Sequence, residues 1–125
     1  MKKVFVPAIL AIALFACNGS DNKPATEKKP ATAALSADDE KALTLISQSG
    51  CAPTCHAIDK KVIGPSYIEV AKKYEATDAN IDKLADKIIN GGQGVWGDVP
   101  MTPNPALSKD DAKLVVKYIL SLKDR

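Results

Sequence analysis

From Ser36 onward the chain places apolar residues at intervals of three and four, the spacing that lines one side of an α-helix, with no strand-like alternation. Ala42, Leu43 and Ile46 form the first stripe. Its helix is predicted to start at Ser36, with Asp39 three residues on as a capping partner, and to stop at Gly50. A second, short helix is expected to open at Pro65, with Tyr67, Ile68, Ala71 and Tyr74 along one side. The third, over 80–90, carries Ile81, Leu84, Ala85, Ile88 and Ile89 and ends at Gly91-Gly92. The last begins at Ser108, again with an acidic residue three positions on (Asp111), and buries Ala112, Val115, Val116, Ile119 and Leu122. The pattern predicts an all-α domain of about four short helices.

Between the third and fourth stripes lies GGQGVWGDVPMTPNPAL, residues 91–107, where four glycines and three prolines break regular structure. The same loop carries Trp96, Val99, Met101 and Leu107. That much apolar surface in an irregular segment has to pack on something, and four short helices leave few facing positions for it. A flat apolar cofactor would fill the gap and supply part of the core that a domain of about 90 residues lacks.

The amino-terminal third has a different pattern. Lys2 and Lys3 precede an unbroken apolar run from Val4 to Ala16, too short to span a bilayer as a mature helix but long enough for a signal-peptide core. It ends in Leu14-Phe15-Ala16-Cys17, which resembles the bacterial lipobox, with Phe15 bulkier than the usual residue there. Residues 1–16 are therefore expected to be a lipoprotein signal and Cys17 the lipidated residue. Residues 17–35, rich in Pro, Ala, Thr and Lys, have too little apolar surface to offset the entropy of ordering and are expected to form a flexible tether. The folded domain is expected over 36–125, exported and anchored on the periplasmic side or another cell-envelope membrane. Once Lys2 and Lys3 leave with the signal, the remaining basic residues balance the 15 acidic ones. With no basic stripe and few aromatics, nucleic-acid binding has no support.

Candidate chemistry is concentrated in CAPTCH, residues 51–56, where Cys51, Cys55 and the chain's single histidine, His56, fall within six residues. Covalent haem attachment uses C-x-x-C-H; here Ala52, Pro53 and Thr54 separate the cysteines. The Cys55-His56 adjacency satisfies the need for an imidazole beside the second thiol. A Cys51–Cys55 disulfide is the main competitor, though so short a loop gains little from closure. Zinc would need a fourth ligand, and a thioredoxin-like dithiol would need C-x-x-C on a βαβ background. The cysteines alone leave haem and disulfide both open.

Three separated motifs in order favour haem. GCAPTCHAIDKKVIGPSY resembles the haem-binding region and following proline turn of the short bacterial class I cytochromes c, of the cytochrome c-551 type. GGQGVWGDVPMTPN resembles that family's Trp-containing loop ending in its methionine ligand, and LSKDDAKLVVKYILSL its C-terminal helix. The departure is the additional residue between the cysteines, which bears on the Cys51 thioether. The resemblance implies one haem c, bound covalently through Cys51 and Cys55, with His56 and Met101 as axial iron ligands. It further implies that the Pro65 carbonyl accepts a hydrogen bond from His56, that the Asn104 amide approaches the Met101 sulfur, and that Trp96 packs on the haem edge. With both axial positions taken, it implies a monomeric one-electron carrier rather than an enzyme, serving membrane or periplasmic redox proteins such as oxidases or reductases. The alternatives are a non-haem helical lipoprotein binding module with a Cys51–Cys55 disulfide, and a haem sensor or weak peroxidase with a labile Met101 bond.

Overall fold

The computed structural model describes residues 35–125. The expected signal (1–16), Cys17 and the tether up to residue 34 lie outside the described residues. Those described form four α-helices and a terminal 3₁₀ turn: α1 (Ala37–Gln48), α2 (Tyr67–Lys73), α3 (Asp78–Asn90), α4 (Lys109–Leu120) and Ser121–Asp124. Among them, no helix is long and apolar enough to cross a membrane.

Each helix start is set by a side chain that accepts from an otherwise free backbone N–H. Ser36 and Asp39 close a full capping box on α1, and Asp38, Asp39 and Glu40 complement the positive end of its dipole. Ser108 caps α4 through the Asp111 N–H, as its sequence implies. Two boundaries differ from expectation. Pro65 does not open α2: Ser66 is the N-cap, in a second capping box with Glu69, and Pro65 stays outside the helix. That leaves the Pro65 carbonyl free to serve another partner. Helix α3 begins at Asp78, because Thr77 accepts from the Asn80 N–H and nucleates the turn earlier than the apolar stripe does.

Helix α4 is the hub, packing against α1, α2 and α3. The other helices bury one stripe, but α4 buries Tyr118 and Leu120 in addition to the predicted Ala112, Val115, Val116 and Ile119. An element with neighbours on several sides is buried on several sides, which a single-stripe reading misses. Leu122, placed on this helix by its spacing, lies instead on the 3₁₀ turn and is fully buried there. At full burial such a side chain contributes about 2 kcal/mol.

One alanine from each helix (Ala42, Ala71, Ala85 and Ala112) has no exposed surface. With only a methyl group at the contact, helix axes can approach closely. The helices thus meet tightly on their small residues. Their larger ones, Ile46, Ile88, Val115, Val116 and Ile119, also reach a cleft on the side of the two loops, 50–66 and 91–107.

Candidate cofactor site

The first loop wraps around His56. Its Nδ1 lies 2.7 Å from the Pro65 carbonyl oxygen. A carbonyl can only accept, so Nδ1 carries a proton, which leaves Nε2 as the ring nitrogen that can bind a metal. The expected Pro65 contact is therefore present. Tyr67, the first residue of α2, stacks on the imidazole, with ring centroids 5.5 Å apart and planes 18° apart. Burial, first of all, pushes the Tyr67 phenol well above its ordinary range, so this wall of the cleft stays neutral. The free N–H groups of Tyr67 and Ile68 donate to the carbonyls of Ala57 (2.9 Å) and Ile58 (3.0 Å), which ties the segment after the cysteines to the start of α2.

Gly64 completes the clasp. A Cβ there would collide with His56 Cε1 and lie 2.9 Å from Nδ1, so only glycine lets the backbone pass this close to the ring. Nothing beside Gly64 in the chain signals this, because the clash involves a residue eight positions away.

The second loop brings Met101 to the same cleft. Gly92 and Met101 form an isolated antiparallel bridge, in which the Met101 N–H donates to the Gly92 carbonyl at 2.8 Å. Gly91, at the end of α3, takes a φ of 73°, and a Cβ on it would collide with the Met101 carbonyl oxygen. Both the left-handed torsion and the close approach require glycine. The Asn104 N–H donates to the carbonyls of Ile88 and Ile89, each at 3.0 Å, and so caps α3 with the far end of the loop. The Asn104 side-chain amide, expected beside the Met101 sulfur, donates to the Ser49 carbonyl at 3.2 Å and lies 3.9 Å from Cys51 Sγ.

Cys51, His56 and Met101 all line one cleft of about 1120 Å³, solvent at its mouth included. Cys55 and Asn104 line an adjoining one that shares those same three residues. Both cysteines are free thiols and partly buried, so the disulfide alternative finds no bond here. The floor is apolar, made by Ile46, Ile88, Val115, Val116 and Ile119. Lys83 and Lys87 stand at its border, and Lys73 Nζ lies 5.0 Å above the Trp96 ring. Trp96 borders the cleft but is 38% exposed, and Val99 is 64% exposed. Neither is a core anchor; both are apolar groups along an open slot.

This arrangement fits a haem. The slot supplies apolar walls for a flat ring, cations at the rim for carboxylates on its edge, and two thiols for its vinyl groups. It also holds an imidazole whose Nδ1 is taken up by the Pro65 carbonyl, and one thioether. Cys51, Cys55, His56, Pro65 and Met101, singled out by the sequence, thus line these two clefts; Ser49 and Gly64 carry no local signal, and Gly91 signals only the end of α3.

The family model for cytochrome c matches residues 40–123. Cytochrome c-551 of Pseudomonas aeruginosa is 47% identical over 79 residues, covering 63% of this chain and 74% of that protein. Cytochrome c-552 of Hydrogenobacter thermophilus is 46% identical over 79 residues, covering 63% of this chain and 79% of that protein. The crystal structure of Nitrosomonas europaea cytochrome c552 superimposes with a TM-score of 0.60 at 40% identity, over 64% of this chain and 98% of that one. The chain belongs to the cytochrome c family and is an electron-transfer protein with a single covalently bound haem c.

Proposed function

We propose that this chain is a lipid-anchored, exported one-electron carrier whose haem is attached through Cys51 and Cys55 and ligated by His56 and Met101. The observation that carries the reading is that His56, its Nδ1 proton held by the Pro65 carbonyl, shares one apolar cleft with Met101 and Cys51. The bound haem iron supplies the one-electron couple, which a neutral thioether ligand and burial shift toward the reduced state.

The chain's own residues set the conditions for that couple. The hydrogen bond to Pro65 fixes the imidazole plane and raises its basicity as a ligand. Gly64 and Tyr67 confine the ring from two sides. The Gly92–Met101 bridge holds the thioether's backbone to the end of α3, so the ligand does not depend on a free loop.

Carriage of electrons, rather than turnover of a substrate, follows from two axial positions filled by protein. Partners are membrane-bound or periplasmic redox proteins. A lipid on Cys17 and the 17–35 tether would keep the domain near them at high effective concentration. The domain acts as a monomer.

The reading is tested on protein matured in a host with haem-attachment machinery. Acid–acetone treatment leaves the reduced c-type spectrum with the polypeptide; extraction of all the haem would refute covalent attachment. Mass spectrometry of the mature protein's amino-terminal peptide shows an acylated Cys17. An unacylated Cys17 there would refute the lipid anchor.

A further inference from the structure

The 51–56 segment has one residue more than C-x-x-C-H, and the structure shows where it goes. The Cys51 carbonyl accepts from the Cys55 N–H at 3.2 Å and from the His56 N–H at 3.0 Å. The second bond runs from residue i+5 to residue i, a π-type turn that is one residue wider than an α-turn. With a two-residue spacer, the same two groups, histidine N–H and first-cysteine carbonyl, would stand in the ordinary i+4 relation. The ends of the motif therefore meet as they would without the added residue, and the arc between them absorbs it. The arc lies outward: Pro53 and Thr54 are exposed, while Cys51, Cys55 and His56 are partly buried.

Cys51 is also located by groups outside the arc. Its Sγ lies 3.2 Å from Ser49 Oγ and 3.9 Å from Asn104 Nδ2. Ser49 is the C-cap of α1, and its hydroxyl also reaches the Ile46 carbonyl at 3.0 Å. Asn104 is fixed by its backbone bonds to Ile88 and Ile89 at the end of α3, and its amide bonds the Ser49 carbonyl. The thiol is thus referenced to the ends of two helices rather than to the loop that carries the extra residue.

We propose that the π-type turn carries the third spacer residue outward while Ser49 and Asn104, as positioning residues, hold the Cys51 thiol at the cleft, so that both cysteines form thioethers. The inference rests on the reading of Cys51 and Cys55 as haem-attachment sites. In each attachment the thiol adds across a vinyl double bond. Sulfur bonds one vinyl carbon, the thiol hydrogen ends on the other, and the double bond becomes single. The addition needs no external oxidant or reductant.

The test uses the full chain matured with haem-attachment machinery. Free thiols are alkylated, the protein is digested, and the peptide containing residues 51–56 is weighed by mass spectrometry. The absorption maximum in alkaline pyridine, which moves to the red for each vinyl group left intact, gives a second count. The wild type shows two thioethers and no alkylated Cys51. Deleting Thr54 turns the π-type turn into an α-turn and keeps two. In Ser49→Ala/Asn104→Ala, alkylated Cys51, absent from the wild type, appears in a measurable fraction of the molecules that retain haem at Cys55.

Haem on Cys55 with Cys51 alkylated in the wild type overturns this inference and leaves the function standing. A wild type with no covalent haem overturns the functional reading itself. Loss of the Cys51 thioether on deleting Thr54 would refute the role given to the turn. An unchanged count in the double variant would refute the role given to Ser49 and Asn104.

Discussion

Helices α3 and α4 and the two loops beside the cleft are held together in opposite ways. The helix pair rests on many interchangeable contributions: capped starts, the buried Ala85 and Ala112, and surface pairs such as Lys113–Asp82 at 2.7 Å. The loops rest on a few single-atom approaches, Gly64 against the His56 ring and Gly91 against the Met101 carbonyl. The first kind of construction tolerates the loss of a cap or a surface pair because no one of them decides it. The second fails at one added methyl, and what fails first is the placement of His56 and Met101, the proposed iron ligands.

The largest break in that comparison is expected in the loops. Gly64→Ala puts a methyl group into the space of the imidazole, and Gly91→Ala adds a left-handed alanine to a collision with the Met101 backbone. Gly64→Ala costs about 1–3 kcal/mol in displacement of the ring, and Gly91→Ala about the same in backbone strain and displacement together. Each is expected to disturb the iron-ligand spectrum at temperatures where far-ultraviolet circular dichroism still reports native helix. Simultaneous loss of both signals would mean that the loops and helices do not differ as described.

A core change in the helix pair should behave the other way. Ala112→Leu overpacks the hub helix and is expected to lower stability by about 1–3 kcal/mol. Thermal melts followed by helix signal and by haem absorbance should then shift together. Separate shifts would place the damage in the cleft.

The smallest effect belongs to the surface pairs. Asp82 is held below the usual carboxylate range first by its hydrogen bond from Lys113, Asp111 by Lys41, and Glu75 by Lys123. A depressed folded pKa means that the stabilisation is present above the unfolded value, about 4. It is lost as pH falls through the lower folded value. The groups are exposed, so the contribution is small and screened by salt. Asp82→Asn should slightly flatten the acid limb of the melting-temperature curve at low ionic strength and have no effect in molar salt. A salt-independent drop would mean that the pair is not the surface interaction described.

The parts legible in the sequence were those governed by neighbours in sequence. Ser36 with Asp39 and Ser108 with Asp111 announced α1 and α4, and Cys55-His56 and the proline-flanked Met101 announced the site. Thr77 was overlooked because Asn80 does not complete a Ser/Thr-x-x-Glu box, and Ser66 because Pro65 is itself a plausible first helical residue. Tyr118 and Leu120 were missed because their burial depends on which helices surround α4. The same reason hid Ser49 and Gly64, and the approach of Gly91 to Met101, all of which depend on what another segment brings against them. Asn104 was picked out, but its amide reaches the Ser49 carbonyl, because the loop's return path to α3 sets its direction.

The central claim is that the two loops deliver His56 and Met101 to the same iron. The direct measurement is the weak red-region sulfur-to-iron absorption band of the oxidised holoprotein, compared between the wild type and Met101→Ala. The account predicts the band in the wild type and its loss in the variant, with haem still covalently attached. A band that persists in Met101→Ala, or is missing from the wild type, would contradict it.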